Sequence, residues 1–340
     1  MFRFNQHFSG PRWIIFAFMF SALFLIGCAP EALLSGASSL GTSIGTSSST
    51  CEKAEAQLYT GNYYPDLQSD KAKALADTIY AAAPQNLPIA RVAAYKFLEY
   101  ETQRWSDAQY VNLTGKPNMR AIITFLTPGL IRAIVLNQLL FTYDSTAPVS
   151  LETTTNAALE KMGTKNDFAF LLLVQTESSS TPKTFSLYPA EITLHNTAGL
   201  FAKRTRSDDF LNSPLSFADG KNSGVIFYPM AVMNSQLQCS PFLDQASETS
   251  LTLITTTAKV DDVSNVGLSW KFYFPLLAGI TPQLMKPDLT TNPSNEALQL
   301  ASPIQEPPAA IYDHNPEAIS WGNIGRFIWW KLTMDHIPPL

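Results

Sequence analysis

The sequence predicts an α+β fold, mainly an antiparallel β-sandwich of loosely immunoglobulin-like character, preceded by a small helical hairpin. Three observations predict it. Apolar residues recur at helical spacing between residues 69 and 105. Beyond residue 116, short runs rich in β-branched and aromatic residues, bounded by turn residues, take over. Three of those runs end in an aromatic followed by proline: Tyr188-Pro189, Tyr228-Pro229 and Phe274-Pro275. Proline cannot donate to a ladder, so each pair marks a strand leaving its sheet. No Cys…Trp…Cys spacing accompanies these strands, so the pattern argues for an architecture and not for homology.

The first helix opens at Ser69, an N-cap followed by Asp70, and places Ala72, Leu75, Ala76, Ile79 and Ala83 on one face before Pro84 stops it. The second starts at Pro88, where a missing N–H costs nothing, and runs through Ile89, Val92, Ala93, Phe97 and Tyr100 to about Trp105. Ala121–Leu126 and Ile131–Tyr143 then flank Thr127-Pro128-Gly129, a turn signal, and read as strands. Leu130–Phe141 also fits a buried helix. Ser150–Lys161 reads as a short capped helix ending at Gly163. Further strands are expected at Phe168–Thr176, Phe185–Tyr188, Glu191–His195, Gly224–Tyr228, Ser250–Thr256 and Leu268–Phe274, with Asp219-Gly220 as a tight turn. In the last of these, Leu268, Trp270, Phe272 and Phe274 alternate with wetter positions.

From Lys286 to Glu317 the chain carries six prolines and reads as an extended strap. It leads into Ile319–Trp330, where three of the six tryptophans lie. The expected organisation is therefore a segment 1–27, a tether 28–50, a helical segment 51–115, a sandwich domain 116–285 and a strap with aromatic tail 286–340.

Only 15% of residues are charged, against about 25% in typical domains, and the formal net charge is -5. An acidic chain of low charge has no electrostatic case for phosphate backbones, so nucleic acid is not an expected partner. The low-charge, Thr/Ser/Asn-rich composition fits the cell envelope better than the cytosol.

The N-terminus carries an address. Arg3 and Arg12, without an acid, precede the 13-residue apolar run Trp13–Leu25, which Gly27 and Pro30 break. A spanning helix needs about 20 apolar residues, so this run reads as an export signal. Leu25-Ile26-Gly27-Cys28 resembles the lipobox of bacterial lipoproteins. The resemblance implies cleavage before Cys28, acylation of that cysteine (palmitate among the chains), and durable anchoring, since several acyl chains exceed the marginal hold of one. An acid after the cysteine marks inner-membrane retention in that family. Ala29 and Pro30 lack it, so the outer membrane is favoured where the source has two membranes. Residues 29–50 are Ser, Gly, Thr and Ala with Glu31 the sole charge, the composition of a leash with a root-mean-square span of about 25 Å.

With Cys28 committed to lipid, Cys51 and Cys239 remain as a pair in an oxidising compartment. A disulfide between them would tie the end of the leash to the body. The alternative is two buried thiols too far apart to join.

No catalytic, cofactor or metal-binding residues are assigned. Gly41-Thr42-Ser43-Ile44-Gly45 matches the GxSxG of a nucleophile elbow, but in a low-complexity leash, not a strand-to-helix turn. His195 is expected on the solvent side of its strand beside Thr193, without an acid at ligand spacing; His314 and His336 fit no zinc pattern. Asp208-Asp209 and Asp261-Asp262 lack the remainder of a calcium loop. Glu99 and Glu101 point to different helix faces, unlike a glycosidase pair. Trp321, Phe327, Trp329 and Trp330 form an aromatic cluster suited to a protein interface, to a bilayer surface, where Arg326 and Lys331 alone give a weak basic face, or to folding back over the body. The expected function is a lipid-anchored envelope protein acting as a structural or protein-interaction module, partnered with the membrane through its anchor and with another envelope protein. The rival is a ligand-binding lipoprotein with a cleft between helices and sandwich, lined by aromatics such as Tyr95, Trp105 or Trp270. An envelope hydrolase using His195 and strand-borne acids stands behind both.

Overall fold

A computed structural model describes Cys51 and residues 69–111, 119–164, 167–176, 185–188, 191–207, 223–233, 236, 239–243, 250–260, 263–273, 286–302 and 320–335. Residues 1–50, the Asp219-Gly220 turn and the strap beyond Ser302 lie outside the described residues.

The hairpin forms as its sequence requires. Helix α1 spans Ser69–Ala82 and α2 spans Leu87–Arg104. Asn86 caps α2 by accepting from the Ile89 amide at 3.4 Å, with Pro88 in the first turn. Strand β1, Ser106–Val111, follows α2 after a single residue and pairs antiparallel with β2, Met119–Phe125.

The strand expected at Ile131–Tyr143 is a helix, α3, Pro128–Phe141. Thr127-Pro128-Gly129 is its start and not a hairpin turn: Thr127 Oγ1 accepts from the Leu130 amide at 3.3 Å, and Pro128 occupies the first turn. The run lacks an amphipathic period because α3 is buried nearly all round. Helix α4, Leu151–Met162, is capped by Ser150 and terminated by Gly163 at φ 68°, a left-handed position that glycine takes without a Cβ penalty. Two helices thus interrupt the span 116–285, and a strand falls within 51–115.

The remaining strands are β3 (Asp167–Thr176), β4 (Phe185–Ser186), β5 (Thr193–Asn196), β6 (Phe201–Lys203), β7 (Arg206–Ser207), β8 (Ser223–Pro229), β9 (Ala231–Met233), β10 (Cys239–Pro241), β11 (Ser250–Val260) and β12 (Val263–Tyr273). Two helices close the chain, α5 (Asn295–Leu300) within the strap and α6 (Trp321–Asp335) in the aromatic tail. The fold is mixed α and β, and the strand pairs of its sheets are antiparallel.

The first sheet has the order β1-β2-β3-β8-β7 and the second β12-β11-β5-β6, with β4 pairing the far end of β11. β9 and β10 form a separate ribbon. β3 is buried on both faces from Phe168 to Val174, which explains its unbroken apolar run. On one side Phe125 and Phe170 stack at 4.6 Å, and both meet Phe272 of β12 at 6.1 and 5.4 Å. Trp270 is fully buried and donates its Nε1–H to Ala121 O of β2 at 2.7 Å. The buried Tyr228 hydroxyl donates to Ile192 O at 3.0 Å, and burial pushes its pKa far up. At the margin, Asp107 of β1 accepts the Lys271 amide at 2.7 Å, covering part of the β12 edge.

The helices hold together through α2 and α3. Buried Asn137 donates to Ala94 O at 2.9 Å, and Arg91 donates to the last carbonyls of α3, Leu140 and Phe141, at 3.0 and 3.1 Å. Arg132 of α3 pairs with Glu152 of α4 at 2.6 Å and with Asp77 of α1 at 3.7 Å, while Lys73 of α1 reaches Glu152 at 3.1 Å. α6 crosses α2 at Gly322 and Gly325, where a Cβ would collide with Tyr95 and Thr102. Cys51 and Cys239 form a disulfide, with Cα atoms 5.6 Å apart, 188 positions apart in the chain.

Candidate functional site

The disulfide meets the sequence expectation. Cys51, almost fully buried, is joined to β10. Three residues on, the Phe242 carbonyl accepts from Asn196 Nδ2 at 3.0 Å, at the end of β5. Through Cys239, Cys51 therefore lies about 10 Å of extended chain from the inward side of the second sheet, where Asn196 shares a face with Leu194 and Leu251.

That sheet has an outward face that pairwise register assembles from distant parts of the sequence. Leu194, Ala202, Leu251, Leu253, Leu268, Trp270 and Phe272 are buried, so their neighbours point the other way. Lys271 lies opposite Thr252, Thr252 opposite His195, and His195 opposite Phe201. The adjacent row is Ser269, Ile254, Thr193 and Lys203. Lys259 extends the face along β11, next to buried Ala258. Phe201 and Tyr273 are 44% and 59% exposed, two of the larger apolar side chains that the described residues leave in solvent. The described acids near this face are Glu191, at the start of β5, and Asp107 at its β1 margin.

His195 sits in this face as expected, beside Thr193. Its Nε2 lies 2.8 Å from Thr193 Oγ1, its ring stacks on Phe201 at 6.1 Å, and partial burial lowers its pKa. Among the described residues, its side chain contacts a hydroxyl and an aromatic ring.

The other candidates are dispersed. Phe327 and Trp329 are buried in the chain's own core, Trp329 Nε1 donating to Gln138 of α3 at 3.0 Å, while Trp321 and Trp330 are partly exposed. Trp105 and Trp270 are core residues with their Nε1 groups bonded internally, to Glu101 at 3.1 Å and to Ala121 O. Tyr95 packs at the α2–α6 crossing, and burial, with Glu99 beside it, raises its pKa. Glu101 is buried and pairs with Arg104 at 3.7 Å; Glu99 faces α6. A cavity of about 220 Å³ lies between α2 and the strap, lined by Ile89, Val92, Lys96, Asp288, Pro293 and Ala297 among others. None of its lining residues is aromatic.

Among the described residues, no three His, Cys, Asp or Glu side chains group as metal ligands, and no helix is long and apolar enough to cross a membrane. Cys28, the Gly41–Gly45 motif, Asp208-Asp209, Asp261-Asp262, His314 and His336 lie outside the described residues. The sequence placed His195 and Thr193 of β5 and Ser269, Lys271 and Tyr273 of β12 on wetter sides of their strands but did not join them into one face, because cross-strand register is needed to bring these residues together. Compared with models of protein families, with curated proteins and with solved structures, the chain matches none.

Proposed function

We propose that the chain is a lipid-anchored cell-envelope protein, exported by residues 1–27 and acylated at Cys28, whose body serves as a structural or protein-interaction module. The carrying observation is the sequence Leu25-Ile26-Gly27-Cys28 behind an apolar run of signal length. The cysteine arithmetic supports it. Of three cysteines, Cys51 and Cys239 are joined, so Cys28 has no cysteine left within the chain to pair with. A disulfide also belongs to an oxidising compartment. Attachment to the outer membrane, where the source has two, follows from Ala29 and Pro30 after the cysteine.

The body reads as a β-sandwich carrying a helical layer. Phe125, Phe170, Phe272 and the Trp270–Ala121 hydrogen bond support face-to-face packing of the two sheets. The interaction role draws its support from the outward face of the second sheet, where side chains free of the core include two exposed aromatics.

Metabolic labelling with a fatty-acid probe tests the anchor. The wild-type chain is expected to incorporate the probe and Cys28→Ala to lose it; incorporation by Cys28→Ala refutes the assignment. Robust turnover of a cell-wall or ester substrate, abolished by a single substitution, would refute the module reading.

A further inference from the structure

We infer that the cavity between α2 and the strap is a binding site for a small zwitterion, an α-amino acid with an apolar side chain, whose two charges meet Lys96 and Asp288. The inference goes beyond the envelope-module reading and does not depend on the lipid anchor.

Size and lining set the ligand class. The volume of about 220 Å³ exceeds the roughly 150 Å³ that admits a benzene ring and falls below the roughly 300 Å³ at which drug-sized sites begin, so the guest is a small metabolite. Ile89, Val92 and Lys96 stand at i, i+3 and i+7 of α2 and share one helix face, so an apolar floor runs directly into an ammonium. Ile89 and Val92 are buried, and the strap adds Pro293 and Ala297 to the apolar lining.

Lys96 and Asp288 both line the cavity, yet among the described residues neither forms an ion pair, with the other or with a third group. Asp288 is fixed as an anion by its own turn. Its Oδ1 accepts from the Thr290 amide and hydroxyl at 3.0 and 2.9 Å and from the Thr291 amide at 3.1 Å. The Thr291 hydroxyl, followed by Thr290, holds the carboxyl below the usual carboxylate range. A carboxylate offers about four acceptor sites, so capacity remains for a ligand ammonium. Of the neighbouring charges, Arg91, Glu99, Lys286, Glu296 and Arg326, none lines the cavity. The lining thus carries one charge of each sign, which matches a zwitterion and sets a simple anion or cation against a like charge.

The strap is held in a way that such a guest reinforces. Val92, Tyr95 and Ala301 form a core cluster separate from the main one, joined by Ala297, Leu298 and Leu300, and no residue within α5 is itself buried. A segment so lightly packed opens locally at low cost, and a ligand held by both walls keeps it closed.

The test follows amide hydrogen exchange in the full lipidated chain in detergent micelles, with alanine, valine, leucine and phenylalanine each added at millimolar concentration. At least one is expected to slow exchange at residues 295–302 about tenfold when present at about ten times its dissociation constant, with β12 unchanged. Its deaminated and decarboxylated analogues, which keep the side chain and one charge, should each bind about tenfold more weakly. Lys96→Gln and Asp288→Asn should weaken the amino acid by a similar factor. The asparagine keeps the Oδ1 that the Thr290 and Thr291 turn requires, so its effect is not that of a disordered strap. Ala297→Leu, which fills the cavity, should abolish the ligand effect without speeding exchange in the unliganded chain. Absence of slowing by all four amino acids overturns the proposal. So does slowing that survives Ala297→Leu or that neither charge variant weakens. An analogue with one charge that binds as well as the amino acid overturns the zwitterion as the ligand.

Discussion

Replacing Gly322 by alanine tests how the aromatic tail is held. In an unconstrained helix interior the change stabilises by about 1 kcal/mol, because alanine loses less backbone entropy. Here the new methyl would fall on the Tyr95 hydroxyl, 3.1 Å from its Cζ and 3.2 Å from Glu99 Oε1. Overpacking of this kind costs about 1–3 kcal/mol, so the net effect expected is a loss of about 1 kcal/mol. The obstacle is mostly one oxygen. In a Tyr95→Phe background the same change should cost less, with a coupling of about 1 kcal/mol between the two sites. Gly325→Ala, whose Cβ would meet Thr102 Oγ1 at 2.8 Å and Leu98 Cγ at 3.2 Å, should destabilise without rescue by Tyr95→Phe. Equilibrium denaturation followed by tryptophan fluorescence reads all six proteins. A Gly322→Ala protein that gains the full propensity increment, with no coupling to Tyr95, would show that α6 does not cross α2 at this contact.

Three further outcomes are expected. Reducing or replacing the Cys51–Cys239 disulfide should lower stability by about 2–5 kcal/mol, since loop closure over 188 positions gives an entropic ceiling of about 5 kcal/mol; equal denaturation midpoints with and without reductant would contradict this. Arg132, followed by Lys73, holds the Glu152 pKa down to about 2, so its contribution is complete above the ordinary carboxylate pKa and is lost as pH falls through about 2. Because this carboxylate is 45% exposed, solvent screening limits the effect to about 1 kcal/mol, and the gap between wild type and Glu152→Gln should close between pH 5 and pH 2; a gap that widens refutes the pairing. Thr127→Ala should cost about 1–2 kcal/mol by uncapping buried α3, with Thr127→Ser retaining most of it; identical losses in both would mean that the hydroxyl does not cap.

Elements whose ends carry local chemistry were legible. Asn86 and Pro88, Ser150 and Gly163 mark helix limits by bonds made within one turn, and the structure places α2 and α4 accordingly. β3, β8, β11 and β12 were legible from β-branched and aromatic runs. Leu130–Phe141 was ambiguous for a physical reason: burial on all sides erases the period that separates helix from strand, and only Thr127 as a cap would have decided it. β1 was missed because Ser106, Asp107 and Gln109 are polar edge residues, and β1 is positioned by pairing with β2 rather than by its own pattern. The tail became a helix despite Gly322 and Gly325, which read as helix weaknesses in isolation. They are tolerated because they admit α2 at close range, a tertiary gain that no local propensity records.

The site divides along the same line. The proposed acylation of Cys28 rests on a linear string of residues, which is read before any fold exists. The outward face of the second sheet is the opposite case. Lys271, Thr252, His195 and Phe201 form one row only because Trp270, Leu253, Leu194 and Ala202 fix the register by burial, and a slip of one residue would turn the row into the core. The core therefore determines which residues share the outward face but places little demand on their chemistry. Threonine and serine alone would serve a purely solvated sheet, whereas Phe201 and Tyr273 leave apolar area in water that the core does not need. Apolar area left in water in this way contributes to stability only when something covers it.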